Sequence, residues 1–447
     1  MKIFISFWFI LAFVLTHAQT ETNELSFSLL RQKDQIEISN PTNFYQQIKH
    51  IPLGDSSSLS LGGSYRFQLE SFINERFQEG DKQFKYWFLH RPMIHAHLKL
   101  GNKFELFGEL NSSTVFNKEN PTPVDKDELN VNQFFAQYKL NKNWQVLVGR
   151  QNMRLGIGRL IDVREGPNVR LSFDMAEVQY ENQKTRIKGF YAIPVQQRAG
   201  AFDNDALNTD ETLSAVYWTQ NWNQKTNTDI YILYKEEANK TWNTEPADDH
   251  RVTMGLRAFG LWNGITYNNE FAYQLGSYGN KDIHAWTASL NLEKKLQTAH
   301  SITLGLKTEA ISGDDQINDG ELNTFDALYP RGAYFGKIAY FGPANLIDIH
   351  PYINTSIGFI DILLDYAAFW RFSTNDGLYN PSLLFDYPID TDEKFVGNQI
   401  GIVGTYEINK FIVLELESNI IFPGAYLKEN DFDKTLYHFV FTTQIQF

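Results

Sequence analysis

From Leu59 onward one pattern recurs: apolar and polar side chains alternate with a period of two. Tyr65, Phe67 and Leu69 oppose Ser64, Arg66, Gln68 and Glu70, and Ile94, Ala96 and Leu98 oppose Arg91, His95, His97 and Lys99. Ile187 and Tyr191 oppose Arg186 and Lys188, Leu256 opposes Arg257, Phe271 opposes Glu270, and Tyr366 and Trp370 oppose Asp365 and Arg371. A helix repeats its faces every 3.6 residues and cannot use this pattern, whereas a strand turns it into two unlike faces. About eighteen such stretches can be counted, within the range of bacterial single-chain membrane barrels.

The links between them alternate in length. Short ones near 101–103, 141–143, 182–185, 221–226, 261–263, 295–298 and 408–410 are interleaved with long ones near 72–84, 117–129, 152–172, 196–210, 237–248, 312–347, 374–394 and 422–434. A soluble sandwich has no reason to alternate this way; an outer-membrane barrel has short periplasmic turns and long external loops. Aromatic residues make up 15% of the chain while its mean hydropathy is −0.37, as an apolar outside around a polar inside requires. The expected fold is all-β: a single transmembrane antiparallel β-barrel of about eighteen strands, its lumen wide enough for water and solute.

The two ends carry address labels. Lys2, an apolar run from Ile3 to Leu15 and the close in Thr16, His17 and Ala18 predict a secretory signal peptide over residues 1–18, too short for a membrane anchor. Residues 19–58 lack a clean period and read as an N-terminal periplasmic segment, with a short helical stretch around Thr42 to His50; residues 59–447 are the barrel. At the far end Tyr437, Phe439, Phe441, Ile445 and Phe447 share one face, so the chain closes on an amphipathic strand ending in phenylalanine. Such a strand is what barrel assembly machinery recognises, which makes that machinery and outer-membrane lipid the expected partners, in a Gram-negative cell. Zero cysteines remove disulfides and thiol chemistry, and a net charge of −13 argues against nucleic acid.

One stretch breaks the alternation. Up to Gly149 the apolar residues fall on even positions (Trp144, Val146, Val148); beyond it they fall on odd ones (Met153, Leu155, Ile157). The slip predicts a bulge at Gly149 that swings Arg150 and Arg154 into the interior, because guanidinium groups beside Trp144 and Val148 would otherwise face lipid. An Arg-bearing loop with Arg159, Arg164 and Arg170 follows.

Several segments resemble the alginate export family of outer-membrane barrels: GGSYRFQLES, GRQNMRLGIGRLI, NNEFAYQLG, FWRFSTNDGLYNP, FVGNQI, FPGAYL and, most specifically, the run from Ile311 to Asp348 containing SGDDQINDGEL and ALYPRGAYFGKIAYFGPANLID. The likeness runs from about Pro52 to Phe447. It implies an eighteen-stranded barrel whose arginine-rich lumen passes an anionic polyuronate outward, with periplasmic export partners; Arg66, Arg150 and Arg371 stand in the shared motifs.

Parity and resemblance together predict a substrate-lining set of Arg66, Glu70, Arg91, Arg150, Arg154, Arg186, Lys188, Arg257, Glu270, Asp365 and Arg371. Arginine reads carboxylates through its planar fork and never loses its charge. Against this, opposite charges that neutralise one another across strands would fill a barrel without serving any solute, because buried ionic groups are usually paired. No catalytic site, metal or cofactor is expected: G-x-S-x-G, H-E-x-x-H and a nucleotide-binding loop are all missing. His95 and His97 lack a third ligand, and in GDDQINDGEL, where Asp315, Asp319 and Gly320 keep calcium-loop spacing, Ile317 stands where a ligand oxygen is needed. The function expected is a passive channel for an anionic polysaccharide or oligosaccharide; the alternatives are a porin importing a small anionic nutrient, or a plugged barrel that binds through its surface loops.

Overall fold

A computed structural model describes residues 25–36, 43–78, 84–298, 301–316, 318–336, 338–388 and 390–447. The predicted signal peptide and Ile317 lie outside these. Eighteen antiparallel strands close into one barrel: β1 (Ser57–Ile73), β2 (Phe84–Leu100), β3 (Phe104–Phe116), β4 (Asp127–Lys139), β5 (Trp144–Gln151), β6 (Phe173–Glu181), β7 (Thr185–Pro194), β8 (Glu211–Asn223) and β9 (Thr226–Trp242) form the first half. The second half is β10 (Glu245–Trp262), β11 (Ile265–Tyr278), β12 (Lys281–Leu296), β13 (Ile302–Ile311), β14 (Leu346–Ile357), β15 (Ile360–Arg371), β16 (Phe395–Asn409), β17 (Ile412–Pro423) and β18 (Leu436–Gln446). No described helix is long and apolar enough to cross a membrane, and crossing falls to the strands.

The ring closes where β18 pairs β1, from Tyr437 opposite Ile73 to Gln446 opposite Ser64. The final residue completes it: Phe447 and Gly63 exchange both backbone hydrogen bonds, at 2.8 and 2.9 Å. A closed ring leaves no strand edge unpaired, which a sheet in lipid requires.

The outer face is apolar in a continuous band that includes Ile94, Val148, Val178, Val216, Ile232, Leu256, Phe271, Ile349, Ile400 and Leu416, all exposed. Exposed aromatics ring both rims: Tyr138, Trp144, Trp222, Trp262 and Phe359 toward the short turns, Phe84, Tyr86, Phe116, Phe134 and Tyr437 toward the loops. Such paired girdles mark the two interfaces of a bilayer.

One connection differs from the sequence reading. The 237–248 stretch is not a long loop: β9 and β10 continue through it and turn tightly at Asn243, which adopts a left-handed φ of 53°. The acidic residues there are strand residues, and Trp242 is buried with its ring 5.4 Å from that of Tyr379. The link between β11 and β12 at Gly279 is equally tight.

The N-terminal segment docks at the turn rim. Helix α1 (Phe44–Lys49) is capped by Asn43, whose side chain accepts the Gln46 N–H at 2.9 Å. Phe27 and Tyr45 pack on Phe411, with centroids 5.8 and 5.3 Å apart. Arg31 donates to Gly63 O at 3.0 Å and Phe447 O at 3.1 Å, which fastens the segment to the barrel's closing seam.

The candidate lumen constriction

Inside the barrel the largest apolar cluster is made by loops folded inward against the wall. The 152–172 loop buries Met153, Leu155, Leu160, Ile161, Val163, Val169 and Leu171, and the 312–345 loop buries Phe325, Leu328, Tyr329, Tyr334, Phe335 and Phe341. Segments this apolar cannot stay solvated, so they retreat from water into the one space available. They meet each other through backbone bonds, Asp162 N to Tyr329 O at 2.9 Å and Tyr329 N to Leu160 O at 2.8 Å.

Charged side chains pin the first loop at two points. Arg159 donates to Glu270 on β11 at 3.1 Å, to Thr287 on β12 at 3.1 Å and to Glu309 on β13, while Tyr334 from the other loop supplies its hydroxyl at 3.0 Å. At the second point Arg66 reaches Glu165 O and Pro167 O at 2.5 and 2.9 Å, Arg91 bonds the Glu165 carboxylate, and Arg170 bonds the same carboxylate at 2.6 Å. Burial alone would raise the Glu165 carboxyl, but Arg170, Arg91 and Arg66 outweigh it and hold it well below the usual carboxylate range. Burial opposes charge on Arg159 as well, yet Glu309, Tyr334 and Glu270 raise its affinity for the proton well above the ordinary value.

The phase slip at Gly149 does not occur. Strand pairing runs through it unbroken, Gly149 opposite Phe135 and Met175, Arg150 opposite Phe134 and Asp174. Directly paired residues share a face, so Arg150 lies on the outer side with exposed Phe134 and Val148, near the loop rim. Its charge is met there by Asp174 in a two-bond fork, 2.8 and 2.9 Å. Glycine stands at 149 because φ is +129° and a Cβ would come within 2.3 Å of Phe134 O. The apolar residues on odd positions belong to the loop, where a strand's parity no longer applies.

The other predicted residues divide by what holds them. Glu70 accepts from Trp87 Nε1 at 2.6 Å and pairs with His438 Nε2 at 2.9 Å. Lys188 pairs with Glu177 at 2.9 Å, Arg186 with Glu181 at 2.5 Å, Arg257 with Asp229 at 2.6 Å, and Asp365 faces His350 at 3.6 Å. Arg371 is fully buried at the loop rim, donating to the carbonyls of Thr374, Asp376, Thr391 and Glu393 and lying 4.2 Å from the Tyr426 ring. The expected grouping of Arg66, Arg150, Arg154 and Arg371 is therefore not formed: one lies under a loop, one on the outer wall, one in a loop and one in a rim junction. His97 meets Glu105 at 3.1 Å, and among the described residues no three His, Asp or Glu side chains gather as metal ligands.

Two cations outside the predicted set lack an ion pair among the described residues. Arg331, on the 312–345 loop, makes no ion pair among the described residues: its Nε is without a partner, Nη2 donates to Tyr334 O at 3.1 Å, and its guanidinium lies 5.5 Å from the Tyr334 ring. Lys307, inward on β13, has no ion pair among the described residues either and sits 4.8 Å from the Tyr352 ring. Arg154 lies within electrostatic reach of Arg331, its side chain 37% exposed and shared with Asp162 at 3.1 Å. Burial, only partly offset by Tyr334, Glu309 and Asp162, disfavours charge on Arg331. The sequence signal for this cluster was the aromatic density around Arg331, too high for an external loop.

A single wide barrel, two aromatic girdles and inward-folded loops form the frame of a membrane channel, and comparison with known sequences decides its family. The sequence model for alginate export matches residues 57–441. The chain belongs to the alginate export family. It is an outer-membrane β-barrel, with short turns on the periplasmic side. No curated protein matches it. Solved structures share the fold at low identity: the BenF-like porin of Pseudomonas fluorescens Pf-5 (TM-score 0.60, 9% identity, 88% of this chain and 98% of that one), Pseudomonas aeruginosa OpdQ (0.58, 9%, 88% and 97%) and Pseudomonas aeruginosa OccD3 (0.57, 11%, 90% and 93%). Family and fold are those of outer-membrane channels.

Proposed function

We propose that the barrel passes an anionic oligosaccharide or polysaccharide of the uronate type, and that Arg331, Lys307 and Arg154 are the groups that meet its carboxylates. The reading is carried by one observation: amid well-paired buried charges, Arg331 and Lys307 make no ion pair among the described residues, and each lies beside a tyrosine ring. A guanidinium or ammonium binds the carboxylate while an adjacent aromatic face suits the apolar face of a sugar ring. Passage needs no energy source, since field focusing in a low-dielectric channel already raises the local anion concentration. Residues 1–18 act as the export signal, and assembly machinery inserts the mature chain.

The test is planar-bilayer recording with a gradient of potassium chloride and added oligouronate. Anion preference and block by micromolar to millimolar oligouronate are expected. Each charge-assisted contact is worth about 1.5–3 kcal/mol, so Arg331→Ala or Lys307→Ala should weaken block by roughly ten- to a hundredfold. Block that is identical in both variants would overturn the assignment. The inward loop core favours one rival, a barrel plugged for surface binding; a properly folded protein with no conductance would select it.

A further inference from the structure

At the turn rim, between the N-terminal segment and the wall, lies a cavity of about 60 Å³ bordered by Arg31, Lys49, Ser60, His95, His97 and Lys99. Its chemistry is lopsided. Among the described residues Asp34 is the one acid on its border, and that carboxylate is already taken by Arg31 at 2.9 Å. Lys49 is 1% exposed, yet among the described residues its Nζ has no hydrogen-bond partner, and neither has the Ser60 hydroxyl. His95 turns Nδ1 toward Glu109, 3.8 Å away and too far to bond, while its Nε2 lies on the Lys49 side. A buried ammonium without an acceptor is costly, because the desolvation it suffers is returned only by an opposite charge.

The wall is shaped to admit that ammonium. Gly62 lies directly behind it: a Cβ there would come within 2.3 Å of Lys49 Nζ and 2.6 Å of His95 Nε2. The lysine is delivered by α1, whose start is capped by Asn43 and whose outer ring, Tyr45, packs on Phe411. Its position is therefore fixed by the docked segment rather than chosen by a free side chain.

We infer that this cavity is a binding site for one small oxyanion, a carboxylate or a phosphate, held by Lys49 with Ser60 and bordered by Arg31 and Lys99. An occupant would accept from the ammonium and the hydroxyl, two donors without partners among the described residues. Burial, then repulsion from Arg31, lowers the Lys49 affinity for its proton to about 7, only partly opposed by Asp34, so a bound anion would also restore its charge. The volume suits a single oxyanion, several times the ~10–15 Å³ needed for one water. The site joins the N-terminal segment to the barrel, and its occupancy strengthens that docking. It does not depend on which solute the lumen passes.

Calorimetric titration of the full-length mature protein in detergent, with inorganic phosphate and separately with glucuronate, tests this. One saturable site is expected for at least one probe. Lys49→Met should weaken it tenfold or more, and Gly62→Ala, which keeps the charge but displaces the ammonium, should weaken it as well. Phosphate alone binding identifies a free ion as the source; glucuronate alone, a uronate carboxylate. Should Lys49→Met lose heat-modifiable migration, the wild type answers instead: bound anion should protect Lys49 from reductive methylation read by mass spectrometry. No saturable binding of either probe at ~10 mM, or binding unchanged in both variants, overturns the site.

Discussion

Arg159 and Arg150 show how differently two arginines of one motif can be used. Arg159 is enclosed by Glu270, Glu309, Thr287 and Tyr334 and ties one loop to three strands at once. Replacing it with methionine fills much of the volume but leaves two carboxylates without their cation, a loss of about 3–5 kcal/mol. The expected outcome is release of the 152–172 loop: larger, noisier single-channel conductance and new tryptic cleavage after Arg164 or Arg170. Conductance and cleavage like those of the parent would sink that role. Arg150→Ala should do neither, because its fork to Asp174 stands on the outer wall; a change of ion selectivity in this variant would contradict the observed register.

At the scale of elements, the junction between the 312–345 and 372–394 loops is built from acids. Asp376 accepts from the Asp314 N–H at 3.0 Å, the Thr324 hydroxyl at 2.6 Å and the Tyr379 hydroxyl at 2.8 Å. Burial and then the neighbouring Asp376 push the Asp314 carboxyl up to about 7. Its folded value lies above its unfolded one, so its contribution is full below about pH 4 and is lost as pH rises through about 7. Hydrogen exchange across 312–326 should therefore quicken between pH 5 and pH 8 by more than the intrinsic rate, and Asp314→Asn should flatten that excess; an excess that survives the substitution would rule Asp314 out. Glu165 has the opposite sign. Its depressed value makes the second pin of the 152–172 loop stable at neutral pH and weak only under strong acid.

Legibility follows the same division between elements. Strand faces could be read because period two acts locally: Arg66, Arg91, Arg257, Glu270 and Asp365 all face inward as alternation requires. The loops could not be read, because what an inward loop touches depends on walls far away in sequence, as with Arg159 and Glu309. Gly149 misled for a related reason. Beyond it the alternation mimics a strand although the chain has already entered the loop, and a glycine required by a close carbonyl resembles a bulge.

For the molecule as a whole, closure is the property on which everything else depends, and it is concentrated in a few bonds at the C-terminus. Phe447 exchanges two backbone bonds with Gly63 and its carbonyl accepts from Arg31, which also holds Gly63 O. Removing Phe447 deletes three of these contacts together, on the order of 3 kcal/mol at about 1 kcal/mol each. It frees the end of β18 in the same step and loosens the N-terminal segment that closes the turn rim. The truncated chain should still show strand content in detergent, because most of the β18–β1 ladder, from Ile73 opposite Tyr437 to Ser64 opposite Gln446, remains. It should lose its folded gel mobility at a lower temperature than the parent, and Arg31→Ala should shift that temperature in the same direction by less. If both proteins melt with the parent, the closing seam is not where the ring is weakest, and the search moves to the shortest wall strand, β5.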